Sequence, residues 1–153
     1  MFKLIRTDAQ QKDFIDLVRD LDAYLTIQDG DEHDFYDQYN KLDQINHVVI
    51  VYYNDKAVGC GAIKAFEPSV MEVKRMYVVP EVRGKGVGAM ILKELEAWAS
   101  ELSFKKCILE TGKRQPEAIQ LYQKNGYRTI PNYGQYRGVE NSVCFEKYVS
   151  KDH

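Results

Sequence analysis

Between Val70 and Thr111 the chain runs "VMEVKRMYVV", "PEVRGKGVG", "AMILKELEAWASEL" and, after a short break, "KCILET". A β-branched run, a glycine-rich turn, an amphipathic run and a second compact apolar run follow one another. Ile91, Leu95, Trp98 and Leu102 recur at helical spacing, which predicts a helix from about Gly86 to Ser103 with Lys93, Glu96 and Ser100 on its wet side. Two strands joined through a helix lie parallel, and the crossover is right-handed. That unit commits the chain to a layered α/β architecture.

The flanking segments fill in the rest of a sheet. "FKLIRT" reads as a first strand, and Asp8 with Gln11 as a capping box for a helix carrying Phe14, Leu17, Val18, Leu21 and Leu25. "QDG" breaks that helix at Gly30, and Phe35, Tyr39 and Leu42 share one face of a second. "HVVIVYY", "AVGCGAIKAF" and "VMEVKRMYVV" are joined by the turns "NDK" and "EPS", as in an antiparallel meander. After "KCILET", "QPEAIQLYQKNGY" is a helix with Pro116 in its first turn and Gly126 closing it. "YRTI" and "SVCFEKYV" are further strands, joined by the loop "PNYGQYRGVEN". The expected class is α/β (α+β): a mixed, mostly antiparallel central sheet with helices on both faces. At 153 residues, one domain with one core is expected.

Charge and composition exclude several functions. A formal net charge of −2 gives no basic field for nucleic acid. No apolar run approaches the roughly 18 residues of a membrane span, and "MFKLIRTDAQ" lacks the apolar core of a signal peptide. A cytoplasmic location is therefore expected. Cys60, Cys107 and Cys144 stand far apart among strand-like residues, as buried thiols of a reducing compartment would. His33, His47 and His153 show no metal-binding spacing.

Three alternating glycines, Gly84, Gly86 and Gly88, flanked by Arg83 and Lys85, open the central helix. A helix start presents unpaired N–H groups and a partial positive charge, and anions bind there. Bare backbone with added cations suits a ligand carrying several phosphate oxygens. The Walker A pattern fails because Gly86 follows Lys85. Gly84, Gly86 and Ala89 match a dinucleotide-binding fingerprint, and Glu110 stands where a ribose-binding acid would. Against that reading, "PEVR" separates strand from first glycine, and the preceding strand carries Glu72, Lys74 and Arg75, unlike a strand buried on both faces.

"RGKGVG", Arg83 to Gly88, resembles the [QR]-x-x-G-x-[GA] signature of the GCN5-related N-acetyltransferases (GNAT). The likeness extends through "MEVKRMYVVPEVRGKGVGAMIL" and "ILETGKRQPEAIQLYQKNGY", the family's fourth and fifth strands with their following helices. The resemblance implies the GNAT acyl-CoA N-acyltransferase fold and acetyl-CoA as acyl donor. It places the cofactor's diphosphate on the amides of Arg83, Gly84, Lys85, Gly86, Val87, Gly88 and Ala89, and its pantetheine arm along Tyr77 and Val78. Many relatives carry an asparagine where this chain has Gln115, which keeps the amide on a longer arm. No metal is implied.

Direct attack by an amine needs a base, an oxyanion donor and an acid. The resemblance implies Glu72 as the base; the alternative is a sheet-face glutamate paired with Lys74. It implies a backbone N–H near Val78 on a bulged strand as the oxyanion donor. It implies Tyr122 as the acid; the alternative is an aromatic core residue beside Ile119. The acceptor is expected to be a small-molecule or peptide amine. The acidic run Asp29 to Asp43 attracts a cationic amine or is a solvated helix face. The loop with Tyr133, Tyr136, Arg137, Glu140 and Asn141 walls the acceptor site or simply connects strands. A non-catalytic acyl-CoA sensor on the same scaffold is the other function class, and a homodimer through the final strands is a further expectation.

Overall fold

A computed structural model of the chain describes residues 1–29 and 45–150. The second helix expected after Gly30, with its acidic run, lies outside the described residues. Seven strands form one sheet in the order β1-β2-β3-β4-β5-β7-β6. They are β1 (Phe2–Thr7), β2 (His47–Tyr53), β3 (Lys56–Glu67), β4 (Val70–Val78), β5 (Lys106–Gly112), β6 (Arg128–Ile130) and β7 (Ser142–Tyr148). Helix α1 spans Lys12–Asp29, α2 spans Val87–Glu101 and α3 spans Pro116–Lys124. All strand pairings are antiparallel except β4 with β5, the pair that α2 connects. The sheet is thus mixed and mostly antiparallel, as expected.

Both faces of the centre are covered. Residues Val58 to Ile63 of β3 are buried without alternation, the pattern of a strand packed on two sides. Gly59 and Gly61 point at α2: an added Cβ on Gly61 would lie 2.7 Å from Ile91 and 2.6 Å from the Met76 sulfur. The missing side chains let α2 sit directly on the sheet. Cys60 and Ala62 point to the other face, where α1 brings Phe14, Leu17 and Val18 into the core. Gly61→Ala should cost about 1–3 kcal/mol by overpacking, read as a lower Tm and denaturation midpoint; an unchanged midpoint contradicts this packing.

Two local expectations are corrected. The helix start is capped by Gln11, whose Oε1 accepts the Asp13 N–H at 2.6 Å. Asp8 instead closes the preceding turn through the Gln10 N–H at 2.9 Å. Leu102, just past the end of α2, is exposed and Glu96 on α2 is buried, the reverse of the simple stripe. Lys147 of β7 reaches Glu96 at 2.8 Å, so a second flank of α2 is covered by a charge partner that helical periodicity does not reveal.

Candidate active site

The parallel contact between β4 and β5 is short. It pairs Val70 with Lys106, Met71 with Cys107 and Glu72 with Ile108, then ends. Beyond Glu72 the strands part: β4 continues on β3 to Val78 and β5 continues on β7 to Gly112. The cleft so opened is open to solvent and has a cavity volume of about 120 Å³. Its walls include Glu72, Lys74, Arg75 and Met76 from β4, Glu110 and Thr111 from β5, and Gln115, Ala118 and Tyr122 from α3. Leu21 and Leu25 of α1 and Tyr136 of the β6–β7 loop complete them.

β4 carries a bulge inside this cleft. Cys60 pairs with Tyr77 and Ala62 with Lys74, so Arg75 and Met76 oppose Gly61 alone. Arg75 takes a left-handed φ of 61°, a strained conformation for a side chain of this size. Among the contacts that hold it, its Nη1 donates to Asp22 of α1 at 3.1 Å and its carbonyl accepts from the Cys60 thiol at 3.4 Å. The bulge therefore lies two residues before Val78. Val78 itself pairs with Gly59, and the Val79 N–H reaches the Val58 carbonyl at 2.9 Å. In that alternation the Val78 N–H and carbonyl face away from β3, towards the side β5 has left.

Glu72 is buried. Its Oε2 accepts the Tyr133 hydroxyl at 2.7 Å, and its Oε1 stands 3.7 Å from the Lys74 ammonium. The pairing with Lys74 is therefore present, and it sits in the cleft. Burial pulls the Lys74 ammonium down from its usual range, opposed by the charge of Glu72. Glu110 accepts the Ser142 hydroxyl at 2.7 Å. Tyr122 is buried against the rings of Tyr127 and Phe145 at 6.0 and 5.9 Å and also lines the cleft. Burial, then the charge of Glu110, raises its phenol far above the ordinary value. Burial pushes the Cys60 and Cys107 thiols up to about 12 and Cys144 to about 11, so none of them is a thiolate at neutral pH.

The glycine loop divides into two parts. Gly84 and Gly86 have φ of 84° and 81°, and an added Cβ on either would meet nothing within 4 Å. Their backbone is bare towards open space. Gly86 caps α2, whose first internal bond runs from the Met90 N–H to the Gly86 carbonyl at 3.1 Å. The preceding amides thus have no partner within the helix. Gly88 differs: a Cβ there would lie 3.0 Å from Leu121 of α3. It serves helix packing and ties the loop to the helix that lines the cleft. Arg83 is folded back, its Nε donating to the Val78 carbonyl at 2.9 Å. Its guanidinium lies 5.5 and 5.9 Å from the Tyr24 and Tyr77 ring centroids. Lys85 is exposed. Unpaired amides, bare glycines and cations at a helix start fit a diphosphate. Gln115, the N-cap of α3, makes no capping side-chain bond, leaving its amide for the cleft.

The model of the acetyltransferase (GNAT) family matches residues 14–127. The chain belongs to that family. This GNAT chain is 30% identical over 146 residues, 94% of it and 95% of the relative, to an IAA acetyltransferase of Azospirillum brasilense. It superposes with a TM-score of 0.82 on a Klebsiella pneumoniae structure assigned as an acyl-CoA N-acyltransferase, at 31% identity, covering 97% of this chain and 98% of that one. A GNAT acetyltransferase of Elizabethkingia anophelis with acetyl-CoA bound has the same fold, with TM-score 0.70, 20% identity and coverage of 96% and 97%. Membership makes the protein an N-acetyltransferase and implies acetyl transfer from acetyl-CoA. Among the described residues no cluster of metal-ligating side chains occurs and no helix is long and apolar enough to cross a membrane.

Sequence reasoning placed Tyr133 only in a loop that walls the acceptor site or connects strands, Lys74 only as the alternative partner of Glu72, and Glu110 only where a ribose-binding acid would stand; it did not join them around Glu72 in one cleft. Tyr133 stood in a long loop far along the chain from Glu72, with no local pattern linking them. The charged pair at Lys74 and Arg75 was visible, but not that a bulge separates their directions.

Proposed function

We propose that the protein transfers an acetyl group from acetyl-CoA to a primary amine of a small molecule or peptide by direct attack in the β4–β5 cleft. The observation that carries this is the end of β4–β5 pairing at Glu72. It leaves a carboxylate at the inner end of a cleft whose helical wall is packed, through Gly88 and Leu121, to the glycine loop. Bound acetyl-CoA supplies an acyl group already activated as a thioester, so the protein need not form a nucleophile of its own.

The amides of Gly84 to Ala89, with Lys85, would hold the diphosphate, and Arg83 would brace the loop. Val78, with Tyr77 beside it, and Gln115 would hold the pantetheine arm. Glu72 takes the proton of the incoming amine, directly or through one water. A positioned base typically contributes about 10²–10⁴-fold. The oxyanion donor moves from Val78 to the bulge. Six residues of strand span roughly 20 Å and four roughly 13 Å, so Met76 lies nearer the atoms Glu72 serves. The Met76 N–H offers a donor to an oxygen gaining negative charge.

Tyr122 keeps its proton throughout the neutral range and can give it to a leaving thiolate. Tyr122→Phe should lower kcat about 10-fold or more while leaving Tm near that of the parent, because the ring packing is retained. Full kcat in the variant would assign Tyr122 to the core alone. The acceptor class is tested by free-thiol release from acetyl-CoA across polyamines, amino acids, aminoglycosides and peptides. Turnover with an amine supports the proposal; binding of acetyl-CoA with no turnover on any amine overturns it.

A further inference from the structure

We propose that Tyr133 is a positioning residue for Glu72: its phenol, delivered by the β6–β7 loop, orients the carboxylate and holds it ready to take a proton. This rests on the reading of Glu72 as the base and adds how that base is kept competent.

The geometry is specific. The Tyr133 ring is held edge-on by Phe66 of β3, with centroids 5.1 Å apart and planes at 74°, and by Tyr136, at 5.6 Å and 89°. Gly134 turns the loop with a φ of 52°, so close to Phe66 that a Cβ would lie 3.4 Å from its ring. Gripped this way, the phenol has little freedom, and its oxygen falls 2.7 Å from Oε2 of Glu72. The other oxygen faces Lys74 at the longer distance of 3.7 Å. One carboxylate oxygen is thus committed to a short neutral donor, and the other stays accessible. Burial and the charge of Glu72 drive the Tyr133 phenol far up, so it remains a donor at every working pH.

A hydrogen bond to an ionised acceptor favours the ionised form. The other charged and titratable groups around Glu72 are Lys74 and Arg75 on β4, Lys64 opposite on β3, Glu110 on β5, Cys144 on β7 and Tyr136 in the loop. Tyr133→Phe leaves all of them and the ring packing in place. It removes one donor. A loop residue that merely packs has no reason to alter proton affinity at Glu72.

The test compares parent, Tyr133→Phe and Glu72→Gln. The acid limb of kcat/KM is measured against pH. The Glu72 carboxyl is titrated by ¹³C resonance in protein without acetyl-CoA and identified by its loss in Glu72→Gln. Tyr133→Phe should move both the limb and the carboxyl midpoint up by about one pH unit, with Tm within a few degrees of the parent. A folded Tyr133→Phe with limb and midpoint unmoved overturns the proposal while the base reading stands. An acid limb that survives in Glu72→Gln removes the base, and this proposal falls with it.

Discussion

Glu72→Gln should lower kcat by about 10²–10⁴-fold with little change in the affinity for acetyl-CoA. The substitution keeps the size of the side chain and its place at the inner end of the cleft. It removes the carboxylate that takes the proton of the incoming amine. Glutamine can still accept from Tyr133, so the loop contact at 2.7 Å need not be lost. Lys74, 3.7 Å from the carboxylate, loses its ionic partner, and a small fall in Tm is expected. The pH profile separates the two effects: loss of the base removes the acid limb, whereas loss of packing alone scales the profile without reshaping it. Turnover within twofold of the parent across the pH range would contradict the role of Glu72.

Gly86→Val should weaken coenzyme A binding about 10–100-fold while reducing stability by only about 1–2 kcal/mol. Gly86 sits at φ 81° as the cap of α2, and an added Cβ would meet nothing within 4 Å. The fold therefore has room for a side chain. What a β-branched residue lacks is tolerance of that φ. Relaxing the strain turns the peptide groups on either side and misaims the amides at the helix start. Calorimetry with coenzyme A, beside thermal melts of the free protein, reads both quantities. A variant that loses stability but binds coenzyme A as the parent does would reduce the glycines to a tight turn.

Much of this arrangement could be read from local sequence because local sequence causes it. "HVVIVYY" and "KCILET" are strands through their β-branched, apolar runs. The glycine loop is legible because positive φ restricts the residue type, as at Gly84 and Gly86. The bulge is not legible in the same way. Nothing in "KRM" announces that Arg75 will adopt a left-handed φ. That conformation is sustained by Asp22 on α1 and by Cys60 on β3, contacts that exist only after the sheet and helix have met. Glu96 shows the same limit: its burial depends on Lys147 across the fold. Gly88 matched a ligand-binding signature, yet the contact that requires glycine there is with Leu121. Tyr133 was legible as a loop residue near an acceptor site but not as a partner of Glu72, since that contact depends on where the loop comes to rest.

The most direct measurement is a crystal structure of the protein with coenzyme A. The account predicts the diphosphate within hydrogen-bonding distance of backbone N–H groups between Gly84 and Ala89, and the thiol end in the gap where β4 and β5 part beyond Glu72. Coenzyme A bound elsewhere, with that segment making no contact to its phosphates, would contradict it.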